Sequence, residues 1–493
     1  MKTVFRDVGL FLHVPAIMAL ISIPVCLLAQ ETYALIPLIT CSVTSLAVGQ
    51  TLYRLIKSET SARLPYAMAT AAVGWLLLPL FGAIPIYMMA NAPDLAPDLS
   101  TSILQFRNPG NAIFEAFSGF TSTGLSMAFN YSELPHTLQW WRSLMQWIGG
   151  VGIIVLVISL LEPATQPDQL YSAEGRSQRI GLTLRKTVRH IWWIYLIYTI
   201  GSILLFRVVG MSWWEALNHG MTGIATGGFS VTQNSIGDYS AGVKLAVIVV
   251  MTLGAVSFST HYQFLRHGRL SAFWSDDQHR ALWIILLGGT SLLWLFNRLT
   301  FDHVALVDLL FQWSSALGTC GFGTVSVKSW DGGAKLLMTL AMLTGGAAGS
   351  TAGGIKLSRL VIVFKAIIWR FHRVALLPHE MMRYELDGKM ITEAEANQRV
   401  EAAAVLAILW LGIVTIGIFI LQYLKLPTYN LIDVIFEAAS ATSGVGISTG
   451  ITHPDLPWLG KLTLICLMWM GRLEIISVLL LFSLPAKYFS KGK

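Results

Sequence analysis

Four stretches of the chain resemble one another: Phe114-Glu-Ala-Phe-Ser-Gly-Phe-Thr-Ser-Thr-Gly124, His219-Gly-Met-Thr-Gly-Ile-Ala-Thr-Gly-Gly228, Phe311-Gln-Trp-Ser-Ser-Ala-Leu-Gly-Thr-Cys-Gly321 and Phe436-Glu-Ala-Ala-Ser-Ala-Thr-Ser-Gly-Val-Gly446. Each stretch ends in a glycine that is followed by an apolar residue and then by Ser or Gly. These glycines are 104, 93 and 125 residues apart along the chain. Such self-similarity indicates a fold built from copies of one unit.

The composition is that of a membrane protein. Charged residues make up 12% of the 493 residues and hydrophobic residues 54%, whereas soluble domains carry about 25% charged residues. A run of about 20 apolar residues is long enough to cross a bilayer as a helix. We predict ten such spans, at residues 8–28, 33–55, 67–90, 139–161, 191–209, 243–264, 281–295, 336–369, 402–424 and 462–484.

Each repeated stretch lies between two of these spans and is itself too short to cross the bilayer. This arrangement predicts an all-α membrane protein with four helix, pore-loop and helix repeats around a central pore, preceded by two extra helices. The predicted boundaries are 1–64 for the extra helices and 65–170, 171–275, 276–385 and 386–493 for the repeats. For a single stretch, close helix packing through small residues is the competing interpretation.

The net charge of +7 comes from basic residues in short connections between spans, around 176–189, 266–280 and 370–399. By the positive-inside rule these connections are cytoplasmic, as are both termini, and the repeated stretches enter from the external side. The basic residues therefore give no indication of nucleic-acid binding. Cys26, Cys41, Cys320 and Cys466 are scattered without metal-ligand spacing.

The repeated stretches have the properties of a cation filter. A ring of backbone carbonyls replaces the hydration shell of an ion, and glycine lets the carbonyls turn because it adopts positive φ without steric cost. Helices ending at the filter direct their partially negative ends toward a cation. The predicted filter residues are Ser122, Thr123, Gly124, Thr226, Gly227, Gly228, Thr319, Cys320, Gly321, Gly444, Val445 and Gly446.

Further polar residues of the repeats have two interpretations each. The hydroxyls of Thr121, Thr123, Thr226 and Thr319 either add ligands to the filter or cap the short helices. Glu115 and Glu437 recur at one place in two repeats and Gln312 replaces them in a third, which favours a positioning role over a proton relay. We expect His219 to make local hydrogen bonds.

The chain resembles the membrane subunit (TrkH-type) of the bacterial Trk potassium uptake system, within the Trk/Ktr/HKT superfamily. Besides the four loops, three motifs carry this resemblance: Trp147-Ile-Gly-Gly-Val-Gly-Ile-Ile-Val, Gly345-Gly-Ala-Ala-Gly-Ser-Thr-Ala-Gly-Gly-Ile-Lys356 and Gly471-Arg-Leu-Glu474. The resemblance extends from Ala67 to Leu484. It implies K⁺ uptake through a gated, channel-like pore in the bacterial inner membrane, a homodimer surrounded by lipid, and a cytosolic nucleotide-binding (TrkA-type) regulatory partner.

A gate is predicted where the run at 336–369, longer than one crossing requires, is interrupted by small residues that do not hold a straight helix. The resemblance implies that this segment is an intramembrane loop below the filter. The implied gate residues are Gly345, Gly346, Gly349, Ser350, Thr351, Gly353, Gly354, Lys356 and Arg472. The alternative to a gating loop is a kinked, closely packed helix. The alternatives for the two basic residues are pairing of Arg472 with Glu474 or with a nearby carbonyl, and contact of Lys356 with the headgroups.

No enzyme is predicted, because no loop combines a nucleophile, a base and metal ligands. The segment 349–356 does not match a phosphate-binding loop, since Ile355 separates Gly354 from Lys356. We therefore expect no nucleotide site in this chain. The alternative functions are an H⁺- or Na⁺-coupled potassium symporter and the K⁺-binding subunit of an ATP-driven pump.

Overall fold

The computed structural model describes residues 2–56, 64–92, 101–152, 155, 168–169, 172, 183–300, 304–375, 377, 382–424, 426–473 and 475–481. The regular secondary structure of the described part is almost entirely helical, as predicted. Its α-helices, labelled in chain order, are α1 (Lys2–Phe11), α2 (His13–Leu28), α3 (Leu35–Leu55), α4 (Leu64–Ala90), α5 (Thr101–Leu104), α6 (Pro109–Phe120), α7 (His136–Val151), α8 (Leu184–Val208), α9 (Trp213–Ile224), α10 (Ala241–Ala255), α11 (Phe258–His267), α12 (Asp277–Leu299), α13 (Leu306–Leu317), α14 (Gly332–Thr344), α15 (Leu357–Ala375), α16 (Glu393–Tyr423), α17 (Leu431–Ser443) and α18 (Trp458–Arg472).

Smaller elements connect these helices. Short 3₁₀ helices lie at Thr32–Ala34, Gln105–Arg107, Tyr131–Glu133 and Leu270–Trp274. Strands β1 (Tyr384–Leu386) and β2 (Lys389–Ile391) form an antiparallel hairpin between α15 and α16.

Among the described residues, six helical segments are long and apolar enough to cross a membrane. A seventh is the pair α10 and α11, which is bent by 105°. Helix is also present in every one of the ten predicted spans, but the number ten itself stays a prediction. The six segments are Lys2–Leu28, Thr32–Leu55, Leu64–Ala90, Leu184–Val208, Asp277–Leu299 and Glu393–Tyr423.

The four repeated stretches fold as short helices α6, α9, α13 and α17, of 12 or 13 residues. At 1.5 Å per residue they are about 18–20 Å long, which is less than the hydrocarbon core of a bilayer. The starts of three of them are defined by capping residues in the sequence. Asn108 caps α6 ahead of a proline, and capping boxes begin α9 at Ser212 and α17 at Asn430.

Four polar contacts, called here the clamp contacts, join the second helix of each repeat to the short helix of the next. The donors and acceptors are Trp214 Nε1 to Gln139 Oε1 (2.6 Å), Lys244 Nζ to Asp308 Oδ1 (2.8 Å), Lys335 Nζ to Asp433 Oδ1 (2.8 Å) and Lys461 Nζ to Asn111 Oδ1 (2.6 Å). The last contact returns from the fourth repeat to the first. The repeats are therefore closed into a ring around one axis.

The second helices of two repeats are broken. The interruption predicted within residues 336–369 is present, because α14 ends at Thr344 and α15 begins at Leu357. The bend between α10 and α11 lies at 256–257. These two breaks place irregular backbone inside the protein, where its polar groups pair with each other.

The β1–β2 hairpin is fixed to the start of α12 and to the middle of α15. The amide of Asp387 donates to Asp277 Oδ2 (2.8 Å), and the amide of Asp277 donates to Asp387 Oδ1 (3.0 Å). Lys365 of α15 pairs with the same Asp277 carboxylate (2.5 Å) and donates to Glu385 O (3.0 Å). The hairpin is thereby connected to the helix that follows the glycine-rich interruption.

We predict that Lys335→Met lowers the thermal stability of the protein more than Lys244→Met. The Lys335–Asp433 side chains are 5% and 9% exposed, whereas those of Lys244–Asp308 are 14% and 15% exposed. Removing one partner of a buried ion pair costs about 3–5 kcal/mol because the other charge stays buried. Thermal unfolding of the detergent-purified variants, followed by size-exclusion chromatography, measures the difference. Equal losses in the two variants would contradict this ranking.

Candidate functional site

The four glycines that end the repeated stretches, called here the ring glycines, meet at the centre of the structure. All of them have left-handed φ angles, between +77° and +96°. A Cβ atom added to any of them would lie 2.0–2.4 Å from a carbonyl oxygen of the next loop, closer than two such atoms can approach. The pairs are Gly124 with Gly227 O, Gly228 with Cys320 O, Gly321 with Val445 O and Gly446 with Thr123 O.

These contacts form a closed circle, from the first loop through the second and third to the fourth and back. Each carbonyl involved belongs to the residue immediately before a ring glycine. The structure thus brings the loops containing the predicted filter residues together, and it does so through backbone atoms.

A second left-handed position precedes each ring glycine by two residues. Ser122, Thr226 and Thr319 have φ angles of +53°, +48° and +50°, and the fourth position is Gly444 at +65°. At each of these four positions the backbone amide donates to the carbonyl three residues earlier. The amide of the following residue donates to the carbonyl five residues before it, at 2.8–2.9 Å. This is the Schellman ending of a helix, which normally has glycine at its left-handed position. Sequence reasoning missed it because only one of the four residues is glycine.

The threonine hydroxyls at the loops bond to protein atoms. Thr121 Oγ1 donates to Phe117 O (2.7 Å) and lies 2.8 Å from Thr123 Oγ1. Thr226 Oγ1 donates to Ala225 O (2.8 Å), and Thr319 Oγ1 accepts from the amide of Gly353 (2.6 Å). These bonds indicate that the hydroxyls hold the helix ends and the loops in place, and they argue against a role of the hydroxyls as ion ligands.

A polar residue nine positions before each ring glycine fastens the chain segment that follows it. All four residues are fully buried. Glu437 Oε1 and Oε2 accept from the hydroxyl of Ser448 (2.7 Å) and the amide of Thr449 (3.0 Å). The corresponding bonds in the other loops are Ser126 Oγ to Glu115 Oε1 (2.8 Å), His219 Nε2 with Ser230 Oγ (2.8 Å) and Gln312 Nε2 to Val325 O (2.8 Å).

The structure therefore places His219 as the fourth member of the set formed by Glu115, Gln312 and Glu437. Its spacing from the ring glycine, nine residues as in the other three loops, is the sequence signal that could have identified it. Arg142 of α7 is a further buried residue that the sequence did not reveal. It pairs with Glu115 (2.7 Å) and donates to Ser230 O (3.2 Å), so it connects the first and second loops.

The predicted gate segment lies against the ends of the short helices. The amide of Gly354 donates to Ser443 O (3.2 Å), and Thr351 Oγ1 lies within bonding distance of Ile224 O (3.0 Å) and Gly254 O (2.8 Å). Three backbone bonds also join the segment to the broken second helix of the second repeat: Ala347 N to Ala255 O (2.9 Å), Thr351 N to Gly254 O (3.2 Å) and Phe258 N to Gly349 O (2.9 Å).

The predicted basic gate residues bond to backbone carbonyls. Lys356 has a left-handed φ of +81° and its Nζ donates to Ala352 O. Arg472 donates to Gly149 O and Gly150 O and stacks 5.1 Å from the Trp75 ring. These bonds match the carbonyl pairing that is the alternative to a gating role of Arg472. Glu474, the other alternative partner, lies outside the described residues.

A polar cavity of about 210 Å³ separates the loops from the gate segment. Arg359, which the sequence did not single out, lines it together with Lys356 and Arg472. Further lining residues are Thr121, Ser122, Thr226, Ser350, Thr351, Gly353, Gly354, Ser443, Gly444 and Gly471.

The family model of TrkH, described as a cation transport protein, matches residues 39–491 of the chain. The chain belongs to the TrkH family of cation transport proteins. It is therefore a membrane cation transporter and not an enzyme.

Individual relatives agree with this family membership. The chain is 34% identical over 423 residues to an uncharacterized cation transporter of Methanocaldococcus jannaschii, covering 85% of this chain and 83% of that one. It is 28% identical to the Trk system potassium uptake protein TrkH of Vibrio parahaemolyticus over 98% of both chains. The crystal structure of the potassium transporter TrkH from Vibrio parahaemolyticus superimposes with a TM-score of 0.83 at 24% identity, covering 98% of this chain and 99% of that one, which confirms the predicted fold.

We predict that Gly321→Ala abolishes most cation uptake, whereas Gly288→Ala does not. The alanine Cβ at position 321 would lie 2.0 Å from Val445 O and would force a left-handed φ of +92° on a non-glycine residue, which alone costs about 1–3 kcal/mol. Gly288 lies within α12 and a Cβ there meets nothing within 4 Å. Uptake of radioactive rubidium into vesicles containing each variant tests this. Normal uptake by the Gly321 variant would show that the loops are not the ion path.

Proposed function

We propose that this chain takes up potassium across the bacterial cytoplasmic membrane through one gated pore, with the four loops as its selectivity filter. The closed circle of ring glycines and carbonyls carries the proposal. Dehydrated K⁺ needs several oxygen ligands at once, and backbone carbonyls from four loops around one axis supply them without a fixed negative charge. The names of the potassium uptake relatives support potassium as the ion.

The proposed filter residues are the twelve loop residues predicted from the sequence. In each loop they comprise the left-handed residue, the following residue whose carbonyl meets the neighbouring loop, and the ring glycine. The short helices end at these loops, so the negative ends of their dipoles favour a cation there. A single closed ring favours a channel-like pore over the rocking of two inverted halves.

The proposed gate is the segment 345–356 together with Arg472. The segment lines the polar cavity that the loops also line, and Lys356, Arg359 and Arg472 add positive charge to the lining of the same cavity. Each of these features opposes passage of a cation. Opening therefore requires the segment to leave its bonds to α10, α11 and the short helices.

Further proposals concern the surroundings of the pore. The positive-inside rule places both termini and the β1–β2 hairpin in the cytoplasm. The hairpin bonds to α15, which begins directly after the gate segment, so it is a suitable contact for a cytosolic nucleotide-binding subunit of the TrkA type.

A homodimer is proposed as well; α15 and α16 carry exposed apolar side chains such as Phe364, Phe371 and Phe419.

We expect Gly228→Ser to abolish potassium uptake or to make it sensitive to sodium. The serine Cβ would lie 2.4 Å from Cys320 O at a residue with φ of +77°. The measurement is potassium uptake by cells that lack their own transporters and express this chain, in rising external sodium. Uptake and selectivity equal to those of the unaltered chain would show that Gly228 is not part of the filter. Helix packing would then be the better explanation of the glycine repeats.

We expect Thr351→Val to increase basal cation flux through the chain alone. Valine keeps the shape of threonine but loses the hydroxyl that bonds to Ile224 O and Gly254 O. A hydrogen bond contributes about 0.5–1.5 kcal/mol, so the closed form should be disfavoured by up to about tenfold.

The matched control for Thr351→Val is Thr344→Val, because the exposed Thr344 hydroxyl bonds within its own helix to Leu340 O. Rubidium flux into proteoliposomes containing the purified chain measures both variants. A flux unchanged by Thr351→Val would argue against bonds of the segment holding the pore shut.

A further inference from the structure

The second loop is fastened differently from the other three. In the first, third and fourth loops the amide of the ring glycine donates to a serine hydroxyl six residues earlier. These bonds are Gly124 N to Ser118 Oγ (3.0 Å), Gly321 N to Ser315 Oγ (3.0 Å) and Gly446 N to Ser440 Oγ (3.1 Å). The corresponding residue of the second loop is Thr222, whose Oγ1 instead lies within donating distance of two carbonyl oxygens, those of Phe229 (2.9 Å) and Asn218 (3.1 Å).

A glutamine from another repeat holds the second loop. The Gln146 side chain, on α7, is fully buried. Its Nε2 donates to Gly227 O (2.5 Å), and its Oε1 accepts from the amide of Phe229 (2.9 Å). One planar carboxamide thus bonds to the residues on both sides of the ring glycine Gly228.

The orientation of this carboxamide follows from its partners. The Gly227 carbonyl is an acceptor and the Phe229 amide is a donor, so the nitrogen must face the first and the oxygen the second. The main chain of Gln146 takes part as well, because its carbonyl accepts from Ser122 Oγ (3.1 Å) in the first loop. Gln146 therefore contacts two neighbouring loops of the ring.

Gln146 also accounts for a sequence feature that is specific to the second loop. The residue before the ring glycine is Thr123, Cys320 or Val445 in the other loops but Gly227 here. A Cβ at position 227 would lie 2.4 Å from Gln146 Oε1 and 2.5 Å from its Cδ. The second loop has two consecutive glycines because the glutamine occupies the space of a side chain.

We infer that Gln146 is a positioning residue for ion selection: it fixes the direction of the Gly227 carbonyl and thereby sets the preference for K⁺ over Na⁺. The inference rests on the proposed function, since it takes the Gly227 carbonyl to belong to the filter. The smaller Na⁺ requires the oxygens to move closer together than K⁺ does. A carbonyl held by a buried donor resists that movement, and a released carbonyl does not.

The test uses Gln146→Leu, which removes both bonds at similar size, and Gln146→Glu, which keeps an acceptor for the Phe229 amide but places an oxygen against Gly227 O. Gly227→Ala displaces the same carboxamide from the other side. Gln422→Leu, on the exposed face of α16, is the control. Rubidium and radioactive sodium uptake are measured in parallel in proteoliposomes of each purified variant, with size-exclusion profiles to verify folding.

We expect the rubidium-to-sodium uptake ratio to fall about tenfold in the Gln146 and Gly227 variants and to stay unchanged in the control. A tenfold change corresponds to about 1.4 kcal/mol of differential stabilisation of the two ions. Folded variants with the original ratio would overturn the inference, as would variants that lose both fluxes in proportion or fail to fold, since each indicates a structural role alone. The proposed function fails separately, if the unaltered chain and the control take up no rubidium.

Discussion

The contact between a glycine Cα and the carbonyl oxygen of the next loop is the constraint on which the rest of the structure depends. Each of the four contacts leaves no space for a Cβ atom. Such an approach brings several carbonyl dipoles close together, and their repulsion has to be balanced by groups behind the loops. Several buried polar residues behind the loops make such contacts. The four polar residues that lie nine positions before the ring glycines hold the chain segments that follow those glycines. The clamp contacts hold the short helices.

The ring is fourfold in its backbone but not in its side chains. The Schellman endings and the ring contacts recur in every repeat with nearly the same distances and angles. Behind them, Glu115 pairs with Arg142, His219 bonds to Ser230, and Glu437 bonds to three residues between 448 and 452. Four repeats joined in one chain are free to diverge in this way, whereas four identical subunits are not. Each loop can therefore hold its carbonyl with a different stiffness.

Local sequence patterns allowed prediction of the loops, the glycines and the interrupted helix, because spacing and hydropathy along a few dozen residues determine them. The fastening residues were mostly not predictable. Lys461 bonds to Asn111 across 350 positions of the chain, and Gln146 bonds to Gly227 across 81. A glutamine within an apolar helix gives no sign of its partner. The left-handed Ser122, Thr226 and Thr319 were missed for another reason: tertiary contacts impose a conformation that these residue types disfavour.

The proposed gate segment and the proposed filter share hydrogen bonds, which would link opening of the pore to ion selection. The amide of Gly353 donates to Thr319 Oγ1 and that of Gly354 to Ser443 O. Thr319 occupies the left-handed position of the third loop, and Ser443 ends the fourth short helix. When the segment moves away, both acceptors lose a partner that lies inside the protein. A buried acceptor without a donor is costly, so water entering the cavity or a shift of the loops has to compensate. In the proposed pore, the open form would therefore differ from the closed form in the proposed filter as well as at the proposed gate.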